Sequence, residues 1–230
     1  MSLAGKVCLV TGGTRGIGKG VALQLGEAGA TVYVTGRTLT PKAGSVGGSL
    51  TDTEREIAER GGRCIPVQCD HSKDEEIEKL FEKINKEQSG QLDILVNNAY
   101  AAFRVGEDVE KKSFWEEPVS AWDSVNNVGL RNHYLCTVYA ARMMVPRKRG
   151  LIVNISSIGG LRYLGDVPYC VGKEALDRMA VDCGHELIKH NVACLSLWPG
   201  VVKTENMLHL LSVLDSKKMD KLGDMVSRTF

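Results

Sequence analysis

The sequence predicts an α/β fold: a doubly wound parallel sheet in a three-layer arrangement, within a single domain of 230 residues. Two observations carry this. Six short runs rich in β-formers alternate with longer helical patterns along the chain, the order expected of repeated βαβ units with right-handed crossovers. The strand-like runs are also nearly continuously apolar rather than alternating, as strands covered on both faces are.

The elements follow in order. Val7–Thr11 reads as the first strand and Gly18–Ala28 as the first helix, with Gly29 as its stop. Thr31–Thr35 is the second strand and Thr53–Arg60 the second helix. The glycine-rich loop Pro41–Ser49 between them reads either as a flexible connector or as part of a ligand site beyond the second strand. Cys64–Gln68 is the third strand, and Ser72 with Glu75 forms a capping box for a helix over Lys73–Gln88. Ile94–Asn97, a helix over Ala121–Val145, Leu151–Ile155, a helix over Tyr169–Lys189 and Val192–Trp198 complete the alternation. Residues 199–230 read as a helical segment that lids the site.

Composition narrows the function. The chain is 43% apolar and 25% charged, with 29 basic against 28 acidic residues and a net charge of +1. That balance gives no clustered positive field for nucleic acid, and the one basic run, Arg147-Lys148-Arg149, reads as a solvated turn. No apolar stretch is long enough to span a bilayer, and the N-terminus enters a strand at once without a signal-peptide pattern. The seven cysteines are odd in number and scattered, which suits reduced thiols in the cytoplasm. Cys64 and Cys69 point to opposite faces of one strand and no HExxH pair occurs, so no metal site is expected.

Two motifs carry chemistry. Thr11-Gly12-Gly13-Thr14-Arg15-Gly16-Ile17-Gly18 closes the first strand and opens the first helix. Glycines let a pyrophosphate approach the backbone, and the helix N-terminus offers free N–H groups and the positive end of its dipole. Beyond the second strand stands Arg37, with no acid on that strand, and Arg15 lies within the turn. Guanidinium groups suit a 2′-phosphate, so NADP(H) is favoured, with NAD(H) the alternative. Asp70, after the third strand, reads either as an acceptor for the adenine amino group or as the start of the next helix. The second motif is Tyr169-x3-Lys173, two side chains on one helix face. A lysine ammonium lowers a neighbouring phenol pKa, allowing proton exchange with an alcohol or carbonyl oxygen near neutral pH. Twelve to thirteen residues earlier a buried strand ends in Ser156-Ser157. No G-x-S-x-G elbow surrounds either serine, which disfavours a serine hydrolase.

These features together resemble the short-chain dehydrogenase/reductase family, from about Lys6 to Glu205. The resemblance rests on the TGxxxGIG turn, Asp70, Asn97-Asn98-Ala99, Ser157, Tyr169-x3-Lys173, and Pro199-Gly200 followed by Thr204. It implies a Rossmann fold with strand order 3-2-1-4-5-6-7 and hydride transfer between NAD(P) and a carbonyl or alcohol. It implies Tyr169 as general acid/base, Ser157 as the donor to the substrate oxygen, and Lys173 bonding the nicotinamide ribose. Gly12, Thr14, Arg15, Gly16, Ile17, Gly18, Arg37, Asp70, Asn97, Asn98 and Ala99 would bind the cofactor. So would Pro199, Gly200, Val202 and Thr204, over the carboxamide.

Three departures stand out. Tyr100 replaces the glycine of the family's NNAG. Gly129 stands where the family's active-site asparagine usually lies, seven residues after Trp122, with Asn126 one turn earlier. Both, with Leu130-Arg131-x-His133-Tyr134, resemble one branch of the family. Only 26 residues follow Thr204, so a C-terminally shortened chain lacking the last edge strand is expected. That strand is one through which many members pair as homo-oligomers. An organelle or endoplasmic-reticulum association carried by a further C-terminal region is the alternative to the cytoplasm. Tyr100, Phe103, Phe114, Trp115, Leu161, Tyr163 and Met207 would line a mostly apolar pocket, with Arg104 and Arg162 near it, suiting a lipophilic ketone or aldehyde. The competing reading is a nucleotide-binding or interaction protein with impaired catalysis.

Overall fold

The computed structural model describes residues 2–41, 47–101 and 113–213. Six parallel strands form one sheet in the order β3-β2-β1-β4-β5-β6. They are β1 (Val7–Val10), β2 (Thr31–Gly36), β3 (Arg63–Gln68), β4 (Ile94–Asn97), β5 (Gly150–Ile155) and β6 (Val192–Leu197). Cys8 pairs with Val32 on one side and Ile94 on the other, so β1 lies where the chain reverses its direction of travel across the sheet. Ligands of open α/β sheets bind at the carboxyl ends of the strands at such a point.

The pleat of β1 divides the core. Val7 and Leu9 face Ile77, Leu80, Phe81 and Ile84 of α3 (Asp74–Glu87) and Cys136, Ala140 and Met144 of α5 (Asn132–Arg147). Cys8 and Val10 face Ala22 of α1 (Gly16–Glu27) and Leu50 and Ile57 of α2 (Leu50–Glu59). Both faces are therefore covered, which is why the strand sequences do not alternate. The outer strand β6 packs along α6 (Val167–Leu187), yet Leu195 and Leu197 remain 40% and 45% exposed.

Helix ends follow local chemistry, with some corrections to the sequence reading. Gly29 ends α1 at φ +95°, and Ala30 N donates to Leu25 O at 3.1 Å. Helix α2 begins at Leu50 rather than Thr53, because the Ser49 hydroxyl accepts from Asp52 N at 3.0 Å and donates to its carboxylate at 2.7 Å. The Ser72–Glu75 box does not form: Lys73 is the N-cap of α3 and makes no side-chain capping bond. Ser72 instead donates its N–H and hydroxyl to Asp70, and Glu76 accepts from Asp70 N at 2.7 Å. Asp74, Glu75 and Glu76 still place negative charge in the first turn of α3, where its dipole favours it.

The single helix expected over 121–145 is two, α4 (Ala121–Asn126) and α5. The break lies at Val128 and Gly129, whose dihedrals leave the helical region. Val128 O accepts from Ala101 N at 3.1 Å, and Gly129 N donates to Asn132 Oδ1 at 2.7 Å. Helix α6 starts at Val167 because Asp166 caps it, accepting from Tyr169 N at 3.4 Å, and Pro168 sits in its first turn. A last described helix, α7 (Glu205–Val213), follows Thr204, whose hydroxyl accepts from Met207 N at 3.2 Å. Residues 42–46 of the glycine-rich loop, Phe103, Arg104 and residues 214–230 lie outside the described residues.

Candidate active site

A cleft of about 370 Å³ opens at the carboxyl ends of β1 and β4. Its walls include Gly12, Thr14, Arg15, Gly16, Ile17, Gly18, Arg37, Asp70, Asn98, Ala99 and Thr204, brought together from five separate stretches of chain. The phosphate turn is tied to the end of β4. Thr11 Oγ1 accepts from Asn98 N at 2.9 Å and Ala99 N at 3.0 Å, while Asn98 Nδ2 donates to Thr11 O and Gly12 O. Gly12 adopts φ +68°, and a Cβ there would lie 2.8 Å from Ala99 Cα, so a side chain would both strain the turn and press on β4.

Helix α1 has no side-chain N-cap bond and no acid in its first turn. Its leading N–H, that of Gly16, donates to Glu205 Oε2 at 2.8 Å. The chain thus sets its own carboxylate at the N-terminus of α1, and an N–H that takes one anionic oxygen there fits the anionic group of a cofactor. Sequence reading missed Glu205, and its only signal was its place next to Thr204. Arg15 Nη1 donates to Gly47 O at 3.0 Å, and Arg37 is exposed at the cleft. Burial pushes the Asp70 carboxyl up, but hydrogen bonds from Ser72 and the charges of Arg37 and Lys73 hold it below the usual carboxylate range.

Six expected cofactor residues are not in the cleft wall: Asn97, Tyr169, Lys173, Pro199, Gly200 and Val202. Asn97 is fully buried and donates to Asn154 Oδ1 at 2.9 Å and Thr137 Oγ1 at 3.1 Å, tying β4 to β5 and α5. The chain leaving β6 runs with Val202 exposed and reaches the cleft only at Thr204.

Ser157, Tyr169 and Lys173 meet beside this cleft. Ser157 follows β5; its hydroxyl accepts from Gly159 N at 3.1 Å and lies near enough to the Tyr169 phenol to oppose the rise in its pKa. Ser156 is buried and donates to Lys173 O at 3.1 Å, so it braces α6 rather than facing the cleft. Lys173 is 8% exposed and donates from Nζ to Ile155 O at 2.9 Å. Burial pulls its ammonium down to about 8. The lowered Tyr169 pKa expected from the lysine is not found. Burial raises the phenol, a bond from Ser157 opposes this, and Lys173 points to the Ile155 carbonyl with Nζ 5.8 Å from the Tyr169 ring centre. Asn126 Nδ2 donates to Pro168 O at 3.3 Å, steadying the first turn of α6.

Two buried imidazoles underlie the cleft and had drawn no role from the sequence. His71 Nε2 meets Thr35 Oγ1 at 2.7 Å, and His133 Nε2 meets Ala99 O at 3.0 Å. Burial pulls them down to about 4 and about 3, so both are neutral near pH 7. Among the described residues no group of His, Cys, Asp and Glu could hold a metal ion, and no helix is long and apolar enough to cross a membrane.

Sheet order, phosphate turn and the Ser157–Tyr169–Lys173 group define the class of short-chain dehydrogenases. The family model for short chain dehydrogenase matches residues 6–212, and the chain belongs to that family. It is 53% identical over 93% of its length to dehydrogenase/reductase SDR family member 1 of Mus musculus and 55% identical over 87% to that of Homo sapiens. It spans 66% and 62% of the lengths of these two relatives. A metagenomic short-chain oxidoreductase solved in complex with NADP is 32% identical, with a TM-score of 0.75 over 87% of this chain and 85% of its own.

Proposed function

We propose that this chain is an NADP(H)-dependent oxidoreductase interconverting a lipophilic ketone or aldehyde and an alcohol, with Tyr169 as general acid/base. The observation that carries this reading is the meeting of Ser157, Tyr169 and the buried Lys173 beside a cleft walled by the glycine turn. A bound nicotinamide supplies the hydride in reduction and takes it in oxidation. Ser157 holds the carbonyl oxygen through its hydroxyl, and Tyr169 gives its proton to that oxygen as negative charge develops. The phenolate left behind is stabilised by the nearby Ser157 hydroxyl, and the buried Lys173 ammonium lies within reach of its field. In oxidation the same phenolate takes the alcohol proton.

Arg15 and Arg37 in the cleft support NADP(H) over NAD(H), and the metagenomic relative's NADP complex agrees. Phe114, Trp115, Leu161 and Tyr163 are exposed apolar side chains, which supports a lipophilic small molecule as substrate. The free thiols of all seven cysteines fit a cytoplasmic setting. Titration with NADPH and NADH, followed by a panel of ketones and aldehydes, tests the reading. Tyr169→Phe is expected to remove most turnover, a loss of about 100-fold or more, while cofactor affinity survives. Unchanged turnover in that variant would sink the assignment. A second reading, a nucleotide-binding protein with little catalysis, is motivated by Gly129 in place of asparagine; cofactor binding with no carbonyl turnover favours it.

A further inference from the structure

Tyr100 stands where three parts of the site meet. It belongs to the wall of the cofactor cleft, and it also lines a crevice shared with Asn126, Gly129, Tyr169 and Lys173. Its ring meets the Tyr169 ring edge-on, with centres 6.0 Å apart and planes at 70°. The Lys173 ammonium lies 5.3 Å from the centre of the same ring, closer than its 5.8 Å to Tyr169. The facing wall is Gly129, where a Cβ would come within 2.8 Å of Tyr100 Cδ2 and 3.1 Å of Cε2. Any side chain at 129 therefore displaces this ring.

The two departures from the family pattern are thus in direct contact. The pattern has glycine at 100 and asparagine at 129; this chain has the large residue at 100 and the glycine at 129. In the present backbone Tyr100 and a side chain at 129 exclude each other.

We propose that Tyr100 is a positioning residue for the catalytic pair: its ring face holds the Lys173 ammonium, its contact with Tyr169 fixes the phenol, and Gly129 is the space that admits it. The inference rests on the hydride-transfer reading above and names a residue that serves it. The face of an aromatic ring carries negative charge, so it attracts an ammonium, and more strongly where water is excluded. Among the described residues the nearly buried Lys173 ammonium makes one hydrogen bond, to the Ile155 carbonyl. Loss of the ring face therefore leaves the ammonium less well held.

The test contrasts Tyr100→Phe, which keeps the ring, with Tyr100→Leu, which keeps apolar bulk without it. The rate of Lys173 modification by an amine-acylating reagent near neutral pH, read by peptide mass spectrometry, needs no substrate. Phe is expected to label within about twofold of the parent chain, and Leu about tenfold faster, as the ammonium gives way to free amine. Where carbonyl turnover is measurable, Leu is expected to lower kcat about tenfold relative to Phe, with KM and NADPH affinity little moved. A residue that merely fills space would show no difference between Phe and Leu, and equal labelling of the two overturns the proposal. Gly129→Asn alone is expected to lose thermal stability, and adding Tyr100→Gly to recover it; stability losses that simply add would refute the coupling. A parent chain that turns over no carbonyl removes the function reading, while the labelling contrast still decides this one.

Discussion

Replacing Glu205 by glutamine is expected to tighten dinucleotide binding while loosening the free protein. Glu205 Oε2 sits 2.8 Å from Gly16 N, at a helix end with no other side-chain cap. A pyrophosphate using the same N–H must displace it. A hydrogen bond to a charged group contributes roughly 1.5–3 kcal/mol. Rehydration of the half-buried carboxylate offsets part of this, leaving about 1 kcal/mol, the usual scale for a charge at a helix terminus. A carboxylate that stayed about 4 Å from a phosphate would be repelled by about 4 kcal/mol at an effective dielectric near 20. Displacement is therefore the easier course, and the start of α7 moves with it. Glutamine keeps the shape and removes the charge. Isothermal titration calorimetry is expected to show both NADPH and NADH binding about three- to tenfold tighter, since the competition is at the pyrophosphate common to both. The cofactor-free Tm is expected to fall by about 2–4 °C, the shift for about 1 kcal/mol in a chain of this size. Affinity and stability thus move in opposite directions. An affinity equal to or weaker than that of the parent chain refutes the reasoning, whatever happens to Tm.

Two further outcomes follow from the cleft and its floor. Arg37→Ser is expected to weaken NADPH about tenfold or more and leave NADH within about twofold, because only the 2′-phosphate meets the guanidinium; equal losses would remove its assigned part. His71 and His133 set a pH dependence. Both are lowered by burial from 6.5, to about 4 and about 3, so the unfolded chain binds more protons across that interval. Stability from this source is complete above the unfolded value and is lost as pH falls through 6.5 toward the folded values, with roughly 3 kcal/mol from His71 alone. Urea midpoints between about pH 7.5 and about pH 4.5 should fall accordingly, and less steeply in His71→Gln; a flat profile above about pH 5 would contradict the burial of neutral imidazoles.

The strands were legible because nothing local contests them. The inner strands are nearly continuously apolar where helices cover both faces, and every strand appears within a residue or two of its expected place. Helix starts were less legible where a side chain had two possible partners. Ser72 and Glu75 have the spacing of a capping box, yet Asp70 takes both Ser72 donors and Glu76 takes the Asp70 N–H. The break between α4 and α5 was hidden for a related reason. It is held by a bond from Ala101 N to Val128 O, which no window over 121–145 contains.

The site divides along the same line. Ser157, Tyr169 and Lys173 were found because one turn of helix and one strand end bring them together, which spacing alone can show. The direction of the Lys173 ammonium could not be read that way, because its acceptor, Ile155 O, depends on how α6 packs on β5. Glu205 lay hidden because its bond to Gly16 joins opposite ends of the described chain. Tyr100 and Gly129 show the limit most clearly. Taken singly along the chain, one crowds a cofactor-adjoining turn and the other deletes a catalytic side chain. Side by side, the glycine is the space the ring requires, and the ring brings an aromatic face to the lysine. A departure from a family pattern is therefore evidence of damage only after its neighbours in space have been asked whether they changed with it.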